Sequence, residues 1–177
     1  ISHRHFILCF RSGVDRLLLE LRVKDLGIIE ETNWSLGSGL NAITGETGAG
    51  KSLVIEACKA VLGGKVDEEA VRYGAKEAQI EGAFALPQDE SISQLRELLA
   101  EKGLKTDDET LVINCKLRRQ GRSILRVNGH LIPKDLLRQI GRLLIDVHGQ
   151  SEHLSLLDKK YHLDYLDSYA HTLDLRH

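Results

Sequence analysis

Eight consecutive residues, Gly45-Glu46-Thr47-Gly48-Ala49-Gly50-Lys51-Ser52, fit the pattern G-x-x-x-x-G-K-[ST] without a mismatch. The residue types explain the spacing. Gly45, Gly48 and Gly50 let the backbone curl until several N–H groups face one concavity, and a helix N-terminus behind it adds partial positive charge. Such a loop is an anion site before any side chain is counted. Lys51 then reaches the outer phosphates of a nucleotide, and the Ser52 hydroxyl is a suitable hard ligand for Mg²⁺. The plainer reading is a glycine turn ahead of an ordinary helix.

The flanks supply what the loop needs. Residues 40–44 read as a short strand, and Leu53, Val54, Ala57, Cys58, Val61 and Leu62 recur at helical spacing until Gly63-Gly64. Upstream, Leu19, Leu21 and Val23 alternate with Glu20, Arg22 and Lys24, predicting a strand over 17–29 that Gly27 interrupts. A second strand is predicted over 32–36, with a tight turn at 37–39. Downstream come a polar connection over 65–76, a strand over 78–86 stopped by Pro87, and a helix over 91–100. Residues 111–117 and 123–127 form a hairpin pair, and Asn128-Gly129 a second turn. Pro133 opens a helix to about residue 139. Apolar residues at 136, 137, 140, 143, 144 and 147 would let the helix simply continue, but residues 143–147 are predicted as a buried strand, because Gly141 breaks the helix and His148-Gly149-Gln150 ends the run. In the last segment, read as a helix, Leu163, Leu166, Ala170 and Leu173 stand at 3-4-3 spacing, a heptad seam too short to indicate a coiled coil, so spacing alone favours a plain surface helix.

Bulk properties narrow the class. The 177 residues suffice for one domain with a core, and the composition (42% hydrophobic, 28% charged) is that of a globular protein. A net charge of -2 excludes a global basic field, so any nucleic-acid contact must come from a local patch. Cys9, Cys58 and Cys115 are odd in number and form no C-x-x-C, which points to a reducing compartment. No apolar run approaches the ~18 residues of a membrane span, and residues 6–10 are too short for a signal-peptide core. No membrane association and a cytoplasmic location are expected. The chain has no methionine, even at position 1, which predicts a piece of a longer reading frame. Residues 1–16 show no clear period and are expected to be a non-native or disordered extension.

Three phosphate-loop classes compete. A GTPase should carry a guanine-reading N-K-x-D, and none occurs. A small-molecule kinase could use Arg118, Arg119 and Arg122 as a clamping lid, but a compact kinase usually reaches its loop from the first strand, whereas at least two strands precede it here. In an ATPase of the ABC type an antiparallel β layer leads into the loop, as residues 17–44 do. At this point a resemblance becomes close. LRVKDLGIIEETNWSLGSGLNAITGETGAGKSLVIEA resembles the N-terminal lobe of the SMC-like chromosome and repair ATPases. RSILRVNGHLIPKDLL and LLIDVHGQSEHLSLL resemble later blocks of the same lobe, in the same order, so that the likeness covers about residues 17–170.

The resemblance implies an α/β fold: an incomplete P-loop NTPase lobe of the ABC/SMC-head type, with an antiparallel β layer. It divides the chain into an extension (1–16), an N-terminal head lobe (17–157) and the start of a coiled-coil arm (158–177). Residues 45–52 match the family's Walker A loop for ATP, and Gln150 matches the Q-loop glutamine that helps Ser52 ligate Mg²⁺ and senses the γ-phosphate. Asp146 mimics a Walker B aspartate but is followed by Val147 rather than Glu, so it is not assigned to catalysis. His148 and His153 fit no common zinc spacing. The implied function is the ATP-binding lobe of a recombinational DNA-repair ATPase, cytoplasmic and associated with the bacterial nucleoid. Its implied partners are DNA, a C-terminal lobe of the same protein and a second copy engaged head to head. The family's signature motif, Walker B and switch histidine lie in that other lobe, so no catalytic set is complete in these residues and turnover by the chain alone is not expected. Non-enzymatic ATP-gated tethering of DNA is the alternative outside catalysis. Two basic features stand apart from the resemblance. Lys116, Arg118, Arg119, Arg122 and Arg126 place five positive charges in eleven residues of a hairpin, a candidate DNA-phosphate patch whose plainer reading is a solvated tip. Arg72 could approach a nucleotide, with a surface role the plainer reading.

Overall fold

The computed structural model describes residues 6–8, 18–37, 41–44, 46, 50–86, 92–104 and 109–144. All lie in the first of two compact units, Ile1–Val147 and His148–His177. The predicted heptad seam falls outside the described residues.

The alternation of residues 18–26 makes them an inner strand of a larger sheet rather than an isolated ribbon. In chain order the strands are β1 (Phe6–Leu8), β2 (Leu18–Leu26), β3 (Ile29–Ser35), β4 (Asn41–Ile43), β5 (Glu77–Ala85), β6 (Thr110–Arg118), β7 (Ile124–Val127) and β8 (His130–Leu131). The helices are α1 (Lys51–Val61), α2 (Ser93–Glu101) and α3 (Lys134–Leu144), with a 3-10 turn at Glu68–Ala70. Six strands form one antiparallel sheet in the order β3-β2-β5-β6-β7-β8. β4, which leads toward the glycine loop, pairs antiparallel with β1, Phe6 opposite Ile43 and Leu8 opposite Asn41. That partner comes from within residues 1–16.

One sheet face is apolar and one polar, as period-2 patterning requires. Leu21 and Val23 of β2, Ile80 and Phe84 of β5, and Leu111, Ile113 and Cys115 of β6 are buried. α1 packs on β2, β5 and β6, inserting Ile55, Cys58 and Val61 into the same core, and α2 packs on α3. On the other face Arg22 pairs with Glu20 at 3.1 Å, Lys24 with Glu31 at 3.7 Å and Lys116 with Glu77 at 3.3 Å. These are exposed or half-buried pairs, so this face is a solvated one and the core lies on the helical side.

Two boundaries differ from the sequence reading. β3 begins at Ile29, not at residue 32, because Leu26 pairs directly with Ile29 across a two-residue turn at Gly27-Ile28. The larger difference is α3. It runs unbroken through Gly141 to Leu144, where a strand over 143–147 was expected; residues 145–147 lie outside the described residues. Gly141 is a contact residue rather than a break. A Cβ on it would stand 2.2 Å from the Leu62 carbonyl oxygen, and one on Gly63 would stand 2.6 Å from the Arg138 backbone nitrogen. α1 and α3 approach backbone to backbone here, which only glycine permits. Burial of Leu137, Ile140 and Leu144 along one side of α3 then outweighs the modest helix cost of one glycine. Asn128-Gly129 is the tight turn expected, both residues at positive φ (47° and 81°), and the Asn128 amide oxygen accepts from the Val112 N–H at 2.9 Å.

Candidate functional site

β4 ends at Ile43 and α1 begins at Lys51, on either side of residues 45–50. α1 starts at Lys51, and Gly50 before it is left-handed, φ 88° and ψ 0°. The N–H groups of Leu53 and Val54 close onto the Gly50 carbonyl at 3.0 and 3.2 Å. Among the described residues no side chain caps this end, and no acidic residue stands in the first turn. The positive end of the helix is therefore left for an external anion.

Lys51 is the one charged side chain buried among the described residues, at 9% exposure. Its Nζ donates to the Glu46 carbonyl at 2.5 Å, so the side chain folds back along the loop. An ammonium taken out of water is costly unless an anion or several dipoles face it. Ser52, one residue on, is exposed at the mouth of the helix. An ammonium, a hydroxyl and an open helix end are a donor set for a phosphate chain with its Mg²⁺, so the residues present fit the group. Gly45, Thr47, Gly48 and Ala49 lie outside the described residues, as do Gln150, Asp146, His148 and His153. Among the described residues no group of three or more His, Cys, Asp or Glu side chains gathers for a metal.

The β2–β3 turn lies against Gly50 and Leu53 at the start of α1, which spacing alone did not reveal. A Cβ on Gly50 would lie 3.6 Å from Ile28 Cδ1 and 3.7 Å from Ile29 Cγ1, and one on Gly27 would lie 2.6 Å from Leu53 Cδ1. Arg72 does not extend freely into solvent. Its Nη1 donates to the Ile28 carbonyl at 2.8 Å, and its Nη2 stands 3.9 Å from Glu30. Ile28 and Tyr73 are large apolar side chains left exposed beside this turn. The only sequence signal for the contact was Gly27, whose position in the alternation marks a turn but not what the turn touches.

The basic hairpin divides by role. Lys116 and Arg118 point from the outer face of β6 to Glu77, at 3.3 and 3.5 Å. The Lys116 ammonium, with Arg118 behind it, holds the Glu77 carboxyl below its ordinary range. Arg119 turns to the backbone instead: its Nη2 donates to the Val71 carbonyl at 2.6 Å and the Arg72 carbonyl at 3.1 Å. Arg122 is exposed at the turn, and Arg126 lies on the outer face opposite Asn114. The five charges thus share a hairpin but do not form one uniform patch.

Two thiols belong to the core rather than to any site. Cys58 and Cys115 are buried, and burial pushes both up to about 12. Cys115 Sγ donates to the Ala60 carbonyl at 3.3 Å, joining β6 to α1.

Comparison with known proteins decides the family. The AAA domain family matches residues 20–170. The chain belongs to the AAA domain family. The DNA repair protein RecN of Halalkalibacterium halodurans is 44% identical over 155 residues, covering 87% of this chain and 27% of the relative. The chain thus spans about a quarter of the length of the curated relative it matches. Among solved structures, one from work on ATP-driven dimerization and DNA stimulated activation of SMC ATPases superposes with a TM-score of 0.59 at 18% identity, covering 89% of this chain and 98% of its own. The Smc head domain from Pyrococcus furiosus, with an extended coiled coil and bound to the C-terminal domain of ScpA, gives 0.55 at 20% identity, covering 88% and 42%. The resemblance to SMC-like repair ATPases is borne out, and so is the fold class. This AAA-family chain has the N-terminal-lobe architecture of a P-loop ATPase head, an antiparallel sheet backed by helices.

Proposed function

We propose that this chain is the ATP-binding lobe of an SMC-like ATPase acting in recombinational repair of DNA double-strand breaks. Residues 17–157 form the lobe, 158–177 begin a coiled-coil arm, and 1–16 are an extension. The phosphates of ATP sit on residues 45–52, with Lys51 on the outer phosphates, and Mg²⁺ is held by Ser52 and Gln150. When bound, Mg²⁺ neutralises phosphate charge. The chain's own residues bind and orient: the loop N–H groups and Lys51 fix the phosphates, and the turn at Gly27-Ile28 limits the loop's freedom.

ATP binding draws two heads together, and hydrolysis draws on a C-terminal lobe of the same protein. DNA is contacted through Lys116, Arg118, Arg119, Arg122 and Arg126, chiefly by those exposed to solvent. The protein works in the bacterial cytoplasm at the nucleoid. The likeness to a protein named for DNA repair supports the pathway.

The observation that carries the reading is Lys51, buried and folded onto its loop at an uncapped helix end. The test is equilibrium binding of ATP with Mg²⁺ to the chain and to its Lys51→Ala variant. Binding lost in the variant supports the reading; equal binding by both removes it. Multiple turnover by the unaided chain, lost in Lys51→Ala, would contradict the assignment of hydrolysis to a second lobe.

A further inference from the structure

Arg119 has no part in the phosphate loop, and its distance in sequence from Lys51 hides a connection. We infer that Arg119 is a positioning residue for the nucleotide site: it holds the segment at Val71-Arg72, and through Arg72 the turn that rests on the phosphate loop. The inference rests on the ATP-binding reading for its functional consequence, but its structural links stand on their own.

Each link is a specific contact. From the end of β6, the Arg119 guanidinium donates to two successive carbonyls, Val71 at 2.6 Å and Arg72 at 3.1 Å, while the Arg119 N–H donates to Lys76 at 3.3 Å. The segment so held continues the sheet where β5 stops pairing with β2. Gly27 N–H donates to the Ala70 carbonyl at 2.6 Å and Arg72 N–H to the Asp25 carbonyl at 2.8 Å, with Leu26 bridged to Val71. Arg72 then reaches forward to the Ile28 carbonyl at 2.8 Å. Ile28 and Ile29 lie against Gly50, and Gly27 against Leu53, the residues that open α1.

The chemistry favours a holding role. A carbonyl pair bound by one guanidinium is a charge-assisted contact with fixed geometry. Backbone hydrogen bonds and the buried Val71 side chain fix the connection to β2 on one side; Arg119 holds it from β6 on the other, next to an almost fully exposed Tyr73. Without Arg119, the Val71-Arg72 backbone loses two of its anchors and Arg72 loses its fixed origin. The Gly27-Ile28 turn, itself a tight two-residue reversal, is then free to lift from Gly50. A phosphate loop works by preorganised N–H groups, so a looser wall costs affinity.

Affinity for a fluorescent ATP analogue with Mg²⁺ is to be measured on the 177-residue chain and on Arg119→Gln, Arg72→Gln, the double variant, Arg119→Lys and Arg142→Gln. Arg119→Gln and Arg72→Gln each weaken binding by about five- to tenfold, and the double variant is no worse than the weaker single, because both cut one chain of contacts. Arg119→Lys recovers part of the loss, since an ammonium can still donate to one carbonyl. Arg142→Gln, which removes the same charge from the exposed side of α3, leaves affinity unchanged. Single losses that multiply in the double variant, or an Arg119→Gln chain that binds like wild type, overturn the inference. Amide hydrogen exchange on the free proteins reads the same links without nucleotide: Arg119→Gln speeds exchange over 25–29 and 50–54 but not in the middle of β6, and Arg142→Gln speeds neither. If wild type and Lys51→Ala bind the analogue equally, the ATP reading fails, and the exchange pattern alone then decides on Arg119; unchanged exchange over 25–29 rejects it.

Discussion

Gly141 of α3 and Leu62 at the end of α1 meet backbone to backbone: a Cβ on Gly141 would stand 2.2 Å from the Leu62 carbonyl oxygen. The contact sets how closely α3 lies on α1, and α1 carries Lys51 at its other end. The expected consequence is that Gly141→Ala destabilises the chain, although alanine is the better helix former. Overpacking against backbone costs about 1–3 kcal/mol, more than the ~1 kcal/mol that alanine returns in propensity. Urea denaturation checks this, and a stabilised variant would mean that the helices do not meet here.

Gly50 offers a contrast. Its φ of 88° strains any L residue, but a Cβ would find only ordinary contacts at 3.6–3.7 Å to Ile28 and Ile29. Gly50→Ala should therefore cost about 1–2 kcal/mol from backbone strain alone. Gly50→Asn, which tolerates the left-handed region better, should recover part of that. Equal losses for the two variants would argue for a steric rather than a conformational cause.

Lys51 separates stability from binding. In the free chain Lys51→Met removes a buried ammonium and its hydrogen bond to the Glu46 carbonyl but keeps the apolar stem; the relieved desolvation and the lost bond oppose one another, so unfolding free energy should change by no more than about 1 kcal/mol. Saturating ATP with Mg²⁺, at a hundredfold its dissociation constant, stabilises the wild type by about 2.7 kcal/mol, and this gain should vanish in Lys51→Met. Thermal melts with and without nucleotide measure both halves of the prediction.

The buried thiols impose a pH dependence. Cys58 and Cys115 are pushed up to about 12 in the folded chain, against an ordinary value of 9.0. Their stabilising contribution is whole below pH 9 and is lost as pH rises toward 12, since the unfolded chain sheds those protons first. Each thiol removes about 1.4 kcal/mol per pH unit in that window. A Cys58→Ala/Cys115→Ala chain should show a shallower decline above pH 9 than wild type, and identical slopes would count against burial as the cause. In a Cys9→Ser background, a thiol reagent at pH 8 should label neither cysteine until the chain unfolds.

Asn128 tests the hairpin end of the sheet. Its amide oxygen accepts from Val112 at 2.9 Å and its φ is 47°. Asn128→Ala loses the hydrogen bond and strains the turn, for about 1–3 kcal/mol. Asn128→Gly keeps the turn and loses only the bond, so it should fall between. Denaturation midpoints in the order wild type, glycine, alanine would establish both contributions.

Much was legible in the chain itself, because it is encoded locally. Period-2 alternation placed β2, β5 and β6, whose inward residues are the core, and helical spacing placed α1 behind a complete glycine-lysine-serine loop. The phosphate chemistry of Gly50, Lys51 and Ser52 follows from residue types at fixed separations, and so does the family. The tertiary structure decided what lies against that loop. Nothing near Gly141 in sequence says that Leu62 is its neighbour, so a glycine that enables close packing reads as a glycine that ends a helix. Nothing near Arg119 says that its guanidinium will meet the Val71 and Arg72 carbonyls, so a tethered arginine reads as one charge in a basic cluster. Both depend on contacts between residues some 50 to 80 positions apart, brought together when the apolar faces of sheet and helices close on one core.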